Sequence, residues 1–190
     1  MPGLHTVEKI GGTSMSRFGE IMKNVIIGKR KGAELYNRIY VVSAYANITN
    51  LLLENKKSGE PGVYGHFAND SQDWIEAMEK VRSAMLEYNK SFESIGLDLA
   101  KADSFVNKRL DGIADCLKDL MSLRSFGHFK PADYLPASRE FLAAIGEAHS
   151  AFNSAEILKA NGVSATFVDL TGWKSPAVLT LDQAILAGFK

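Results

Sequence analysis

The order of elements at the start of the chain constrains the fold more than any other feature of the sequence. Two short runs, His5–Ile10 and Arg38–Ser43, predict strands. Apolar residues recur between them at the spacing of one helix face: Phe18, Ile21, Met22, Val25 and Ile26. The second run is rich in β-branched and aromatic residues that follow one another without alternating with polar ones, which is typical of a strand buried on both faces of a parallel sheet. We therefore predict an α/β fold with a mainly parallel sheet flanked by helices, in which both strands end at the edge where ligands bind.

A helical hairpin is predicted as an insertion after the second strand, over residues of about 70–125. Its apolar positions alternate at spacings of four and three: Trp74, Met78, Val81, Met85, Tyr88, Phe92 and Ile95, and, after Gly96, Val106, Leu110, Ile113, Leu117 and Leu120. We expect two antiparallel helices whose apolar stripes pack on each other and on the sheet. The alternative is that one stripe forms a partner or dimer surface.

The remainder of the chain predicts one more helix, one more strand and a final helix. Pro131 and Pro136 indicate a loop, followed by a helix over Ala137–Ala160. Ser164–Asp169 predicts a third strand, and a last helix begins at Thr180 or Leu181. Because the sequence ends within that helix, before another strand could complete the sheet, we expect an incomplete domain that is part of a longer protein.

Composition narrows the classes of function. The 190 residues carry 22 Lys and Arg against 22 Asp and Glu, so no general positive charge favours nucleic acid or an anionic membrane. No apolar run approaches the roughly 18–20 residues that span a bilayer, and the N-terminus lacks the pattern of a signal peptide. We expect a cytoplasmic protein without a nucleic-acid or membrane partner. The single Cys116 fits a reducing compartment and is predicted to lie in or near the core.

The most specific local motif is the turn after the first strand, Lys9-Ile10-Gly11-Gly12-Thr13-Ser14. Glycines let the backbone approach a phosphate closely, helix-start N–H groups point at it, and the lysine supplies a compact positive charge. The order differs from the Walker motif, in which lysine follows the glycines. A tight Gly-Gly turn beside a surface lysine remains the alternative.

Other residue types that carry chemistry show no recognisable arrangement. Neither metal-ligand spacing nor a Ser-His-Asp order is visible around the four histidines: His5, His66, His128 and His149. We therefore predict no metal-ligating residues. Asp169 after the third predicted strand either faces the ligand edge or caps a turn through Thr171.

Three blocks, in order along the chain, resemble aspartokinases of the amino acid kinase superfamily. Lys9–Ser14 is similar to the Lys-Phe-Gly-Gly-Thr-Ser signature of that family, and Val41–Leu52 is similar to its second-strand segment. Gly146–Ala151 resembles its Gly-Glu helix. The longer segments Thr6–Phe18 and Gly146–Asn153 also resemble the aspartokinases associated with ectoine synthesis. The resemblance implies that residues 1–190 are the N-terminal portion of an aspartokinase catalytic domain.

The resemblance implies phosphoryl transfer from ATP, with Mg²⁺, to the side-chain carboxylate of L-aspartate. Such a reaction brings a carboxylate against a triphosphate, so positive charge and aligned N–H groups must offset the repulsion. Lys9 would be the catalytic residue at the transferred phosphoryl group. The phosphates would be bound by Lys9, Gly11, Gly12 and Ser14.

The aspartate site, by the same resemblance, is lined by Ser43, Ala44 and Thr49, with Glu147 pairing with the α-ammonium of the substrate. Small residues surround Glu147 on its helix, which would let a ligand come close. Without the family match, Ser43 reads as an ordinary strand-end hydroxyl, Thr49 as a helix cap and Glu147 as a solvated glutamate.

The chain departs from the family pattern in two ways. Ile10 replaces the usual Phe, Ile145 stands where a His often precedes Gly-Glu, and Tyr45-Ala46-Asn47 replaces commoner small residues. A larger departure is that the Gly-Arg-Gly-Gly-Ser-Asp segment of the ATP-binding half and the regulatory domains have no counterpart. We therefore expect the 190 residues alone to be inactive, and the full-length protein to be a homo-oligomer.

Two other functions fit the sequence. One is a kinase of the same superfamily that forms an acylphosphate on glutamate or acetylglutamate, against which Thr49 and Glu147 in aspartokinase-like blocks argue. The other is a noncatalytic amino-acid-binding or interaction module.

Overall fold

A two-stranded parallel sheet stands at the start of the fold. The computed structural model describes residues 5–173, Gln183 and Leu186. Strand β1 (Thr6–Ile10) pairs in parallel with β2 (Arg38–Val42), with Ile10 opposite Val42. The predicted strand–helix–strand unit is therefore confirmed, and both strands end at the same edge.

The sheet is covered on one face only. Val7 and Val41 are 69% and 51% exposed, whereas Tyr40 and Val42 on the opposite face pack against the core. The prediction that the second strand is buried on both faces is wrong for the described residues, because among them helices cover one side of the sheet. A larger α/β sheet is not present in this part of the chain.

The crossover between the strands is helical but broken. It comprises α1 (Gly12–Met15), α2 (Phe18–Ile21), a π-helical turn (Met22–Ile27) and a 3₁₀ turn (Gly32–Leu35). The first helix is capped by the backbone of Gly11, with no side-chain cap.

After β2 the chain forms two short helices and then the predicted hairpin. The short helices are α3 (Ile48–Leu52) and α4 (Val63–Ala68). The hairpin consists of α5 (Trp74–Ser91) and α6 (Leu99–Arg124), joined through a 3₁₀ turn (Glu93–Ile95).

Contacts across the hairpin run in opposite directions along its two helices. The Trp74 indole N–H lies 3.1 Å from Met121 Sδ at one end, and Asn89 Nδ2 donates to Asp103 Oδ1 (2.8 Å) towards the other. The antiparallel hairpin is thus confirmed, and its stripe residues such as Val81 and Leu110 are fully buried.

The helix predicted over Ala137–Ala160 begins earlier than expected. Helix α7 spans Pro131–Ala160 and contains Pro136. The interpretation of Pro131 and Pro136 as a loop is wrong for a physical reason. Pro131 occupies the first helical position, where a missing N–H costs nothing. Packing of Tyr134 and Leu135 against the core offsets the one helical hydrogen bond that Pro136 removes.

The third predicted strand, Ser164–Asp169, is not formed within the described residues. Its side chains pack on helices instead: the Phe167 ring meets the rings of Phe105 and Phe152 edge-on. An extended run becomes a strand only where a neighbouring strand supplies backbone partners, and here the pattern is satisfied by aromatic packing on α6 and α7. The helix predicted from Thr180 or Leu181 lies outside the described residues.

A further finding concerns Cys116 of α6. Cys116 is exposed, so its predicted place in or near the core is wrong. It lies beside the buried apolar stripe of α6 that contains Ile113 and Leu117.

Within the described part of the chain, no helix combines the length and apolar character needed to cross a bilayer.

Candidate active site

The loop between β2 and α3, residues 43–47, is the centre of the candidate site. The Ser43 N–H donates to the Ile10 carbonyl (3.0 Å), which extends the pairing of the two strands by one residue. A Cβ added at Gly12 would lie 2.7 Å from the Ala44 carbonyl oxygen. The glycine-rich turn after β1 and the loop after β2 are therefore in direct contact at the sheet edge.

Helix α7 brings the Gly-Glu pair to the same loop. A Cβ added at Gly146 would lie 2.7 Å from the Cβ of Ala44, so only glycine permits this approach. The Ser150 hydroxyl, one turn further on, donates to the Ser43 carbonyl (2.8 Å). Three segments far apart in sequence thus meet around Ser43 and Ala44.

Glu147 lies at this contact, and one oxygen of its carboxylate makes no hydrogen bond within the described residues. Its side chain is partly buried, and Oε2 is shielded from solvent without a hydrogen-bond partner in the described part of the chain. Burial raises the pKa of Glu147, and backbone N–H groups of Glu147 and Ala44 oppose that rise. A carboxylate desolvated in this way gains from a cationic partner, and a ligand ammonium would supply one.

The predicted phosphate-binding residues lie at the same edge but make fewer contacts. Lys9 is exposed in β1, on the open face with Val41, and its ammonium has no hydrogen-bond or ion-pair partner among residues 5–173. Gly11 has open space around its Cα: an added Cβ would meet nothing within 4 Å. Ser14 lies within α1 and is partly buried.

The structure therefore brings Gly12, Ser43, Ala44 and Glu147 together through direct contacts. Lys9 in β1, Gly11 before α1 and Ser14 within α1 belong to the same segment as Gly12. Thr49 is the second residue of α3, where the chain leaves the loop through Asn47 in the left-handed region (φ 67°).

Sequence reasoning missed the side chains that hold the loop in place. The Ala46 N–H donates to Ser16 Oγ (2.9 Å), and the Tyr88 hydroxyl donates to the Ala46 carbonyl (3.0 Å). The sequence pattern gives Ser16 no partner and places Tyr88 only in the apolar stripe of the hairpin. The available signal was that Tyr88 is the sole member of its stripe with a hydroxyl.

The contacts of Asp169 are with Thr171 and Arg109 and not with the loop of residues 43–47. Its carboxylate accepts hydrogen bonds from the Thr171 N–H (3.0 Å) and hydroxyl (2.6 Å) and forms an ion pair with Arg109. Of the two interpretations of Asp169, the structure favours the turn with Thr171.

The described residues contain no group of three or more His, Cys, Asp or Glu side chains that could hold a metal ion. We therefore assign no residue of this part of the chain to Mg²⁺.

Comparison with known proteins agrees with this arrangement of motifs. No family model matches the chain, and no solved structure matches it. It is 51% identical over 188 residues to a curated protein named Aspartate kinase Ask_Ect, from Stutzerimonas stutzeri (strain A1501). The match covers 98% of this chain and 40% of that protein, so the chain spans less than half the length of its relative. With about half of the residues identical along nearly all of its length, the chain belongs to the aspartokinase family.

Proposed function

We propose that the protein containing this chain transfers a phosphoryl group from ATP to the side-chain carboxylate of L-aspartate, giving 4-phospho-L-aspartate. The observation that carries this proposal is Glu147, a desolvated carboxylate beside Ala44 and the glycine-rich turn, with one oxygen that has no hydrogen-bond partner in the part of the chain that the structure describes. It offers one negative charge to an amino-acid ammonium at the edge where phosphates bind at helix starts.

The aspartate half of the site consists of Ser43, Ala44, Thr49 and Glu147. Glu147 binds the α-ammonium, while the hydroxyls and backbone groups of the loop orient the rest of the substrate. Orientation matters because the weakly nucleophilic carboxylate must meet the phosphorus in line.

The ATP half that this chain supplies consists of Lys9, Gly11, Gly12 and Ser14. The exposed Lys9 ammonium, which has no ion-pair partner among residues 5–173, can neutralise charge on the transferred phosphoryl group. The open space at Gly11 leaves room for a phosphate to approach the backbone. Mg²⁺ would accompany ATP and screen its phosphates.

We also infer the setting of this reaction. The resemblance to ectoine-associated aspartokinases supports a role at the start of the aspartate-family or ectoine pathway, in the cytoplasm and within a homo-oligomer. Residues 1–190 would bind aspartate but not turn over alone, because the family's Gly-Arg-Gly-Gly-Ser-Asp segment has no counterpart in them.

A coupled assay of ADP release tests the proposal. We expect the complete gene product to release ADP with MgATP and L-aspartate, and residues 1–190 to release none. Glutamate and acetylglutamate serve as competing substrates in the same assay. Preference for either would assign the chain to a different acylphosphate-forming kinase, and turnover by residues 1–190 would refute the inferred inactivity.

A further inference from the structure

We propose that Tyr45, Asn89, His149 and Asn153 form a buried positioning cluster that sets the distance between Glu147 and the Ser43–Ala44 loop, and thereby the affinity for the amino-acid substrate. The inference rests on the proposed function, since it takes that loop and Glu147 as the substrate site. It assigns no contact between the cluster and the substrate.

Hydrogen bonds join three residues of the cluster, on α5 and α7, and attach them to α6. Asn89 of α5 is the hub: its Oδ1 lies 2.7 Å from His149 Nε2 and 2.7 Å from Asn153 Nδ2, both on α7. Its Nδ2 donates to Asp103 Oδ1 of α6 (2.8 Å). Asn89, His149 and Asn153 are each 0% exposed, so no solvent competes for these bonds.

The protonation of His149 follows from its surroundings. Burial lowers the pKa of His149 to about 3, so the ring is neutral at neutral pH. His149 Nε2 lies 2.7 Å from Asn89 Oδ1 and 3.0 Å from Asn153 Nδ2. Because the shorter contact is to an oxygen that only accepts, and Asn153 Nδ2 donates to that same oxygen, we assign the proton to Nε2. Asp103, which reaches the cluster through Asn89, supplies the acceptor that fixes the Asn89 amide in the orientation this requires.

Tyr45 connects the cluster to the substrate loop. Its ring stacks on Tyr88 with centroids 4.6 Å apart and meets the His149 ring edge-on at 5.2 Å. Tyr45 follows Ala44 directly in the chain and is 1% exposed, so its ring cannot move without moving the loop. His149, in turn, lies two residues after Glu147 on α7. The cluster therefore reaches both sides of the contact between Ala44 and Glu147.

The composition of the cluster argues for a role beyond packing. Three of its atoms are buried without a hydrogen-bond partner in the part of the chain that the structure describes: the Tyr45 hydroxyl, His149 Nδ1 and Asn153 Oδ1. Apolar side chains of similar volume would fill the space without that desolvation cost. Proteins keep a polar arrangement that costs stability where function requires side chains at fixed positions, and this arrangement lies next to the substrate loop.

Steady-state kinetics of variants of the complete protein test the cluster. We expect His149→Leu and Asn153→Leu each to raise the KM for aspartate about tenfold, because a small displacement of Glu147 weakens binding, with the KM for ATP changed less than about twofold. His149→Gln, whose amide can donate to Asn89, should restore the KM for aspartate. The matched control is Ser138→Ala, which removes a buried hydroxyl of α7 outside the cluster and should leave both KM values unchanged.

Asn153→Ala removes the amide that bonds to Asn89 without adding bulk, so it provides a folded variant if the leucine variants do not fold. We expect it to raise the KM for aspartate about threefold, a smaller effect because Asn89 keeps its bond to His149. Unchanged KM values for aspartate in all folded cluster variants, or equal rises in both KM values, would overturn the inference. If the wild type prefers another amino acid, the proposed function fails, and the same variants assayed with that amino acid still decide whether the cluster positions the site.

Discussion

Glu147 combines two properties that seldom coincide in a residue kept for stability alone. It is desolvated, which raises its pKa, and one oxygen lacks a protein partner in residues 5–173. Removing such a charge is expected to help the fold and to harm a function that uses it.

Glu147→Gln should stabilise the ligand-free protein, and more so at higher pH. A carboxyl whose pKa is raised on folding holds its proton more tightly in the native state. The wild type therefore loses stability as the pH rises above 4.5, the ordinary pKa of a glutamate side chain. Urea denaturation of both proteins at pH 4.5 and pH 7 gives the comparison. A variant less stable than the wild type at pH 7 would contradict the view of Glu147 as an unpaired charge.

His149 predicts a dependence of the opposite sign. Its pKa falls from 6.5 to about 3 on folding, so below pH 6.5 the unfolded chain binds a proton that the native protein does not. The free energy of unfolding should therefore decrease by about 1.4 kcal/mol per pH unit as pH falls from about 6.5 towards 3.

The control for that slope is His149→Gln, in which the group no longer titrates. All other titratable groups are common to both proteins, so the difference in unfolding free energy between them isolates His149. A difference that stays constant from pH 7 to pH 5 would show that His149 is not held neutral by burial.

At the scale of elements, two adjacent glycines in the turn after β1 should behave differently. A Cβ at Gly12 would meet the Ala44 carbonyl oxygen at 2.7 Å, whereas a Cβ at Gly11 would meet nothing within 4 Å. Gly12→Ala should therefore lower the free energy of unfolding by about 1–3 kcal/mol through overpacking. Gly11→Ala should change it by less than about 1 kcal/mol.

Gly11→Ala should nevertheless weaken ATP binding, because the added methyl group occupies the space reserved for a phosphate. Thermal denaturation and nucleotide titration of the two variants separate a structural role from a ligand-binding role. Unaltered ATP affinity in a stable Gly11→Ala protein would remove Gly11 from the phosphate site.

Some of the helices and strands could be predicted from the sequence and others could not. The hairpin was predictable because its stripes repeat over about four turns or more, from Trp74 to Ile95 and from Val106 to Leu120. The start of α7 was not, since Pro136 normally breaks a helix and only tertiary packing of its neighbours overrides that tendency. Ser164–Asp169 has the composition of a strand, but pairing depends on neighbours that no local pattern reveals.

The candidate site was predictable in part for a related reason. Gly12, Ser43, Ala44 and Glu147 were identified through family motifs, and their contacts fit one site. The role of Ser16 and Tyr88 in holding the loop could not be predicted, because their partners are backbone groups of a segment distant in sequence.

At the scale of the whole molecule, the segment after α7 is fastened to the hairpin by one buried cation. Arg109 is 6% exposed, forms an ion pair with Asp169, and lies over the Trp173 ring with its guanidinium carbon 4.5 Å from the centroid. The contact ties residues 163–173 to α6.

Arg109→Met should release that segment. Loss of the ion pair with Asp169, which keeps its hydrogen bonds to Thr171, and of the contact with the Trp173 ring is expected to cost about 1–2 kcal/mol of unfolding free energy and to speed amide hydrogen exchange in residues 163–173. The matched control is Lys118→Met on the same helix, whose ion pair with Asp115 is solvent-exposed and should be worth less than about 0.5 kcal/mol. Equal effects of the two substitutions would contradict the role given to Arg109.

The central claim is that Glu147 meets the ammonium of an amino-acid substrate at the loop after β2. Calorimetric titration of wild type and Glu147→Gln with L-aspartate and with succinate, which lacks the α-amino group, tests it most directly. The wild type should bind aspartate at least about tenfold more tightly than succinate, and Glu147→Gln should bind the two alike. A variant that still prefers aspartate to the full wild-type extent would show that the ammonium is bound elsewhere.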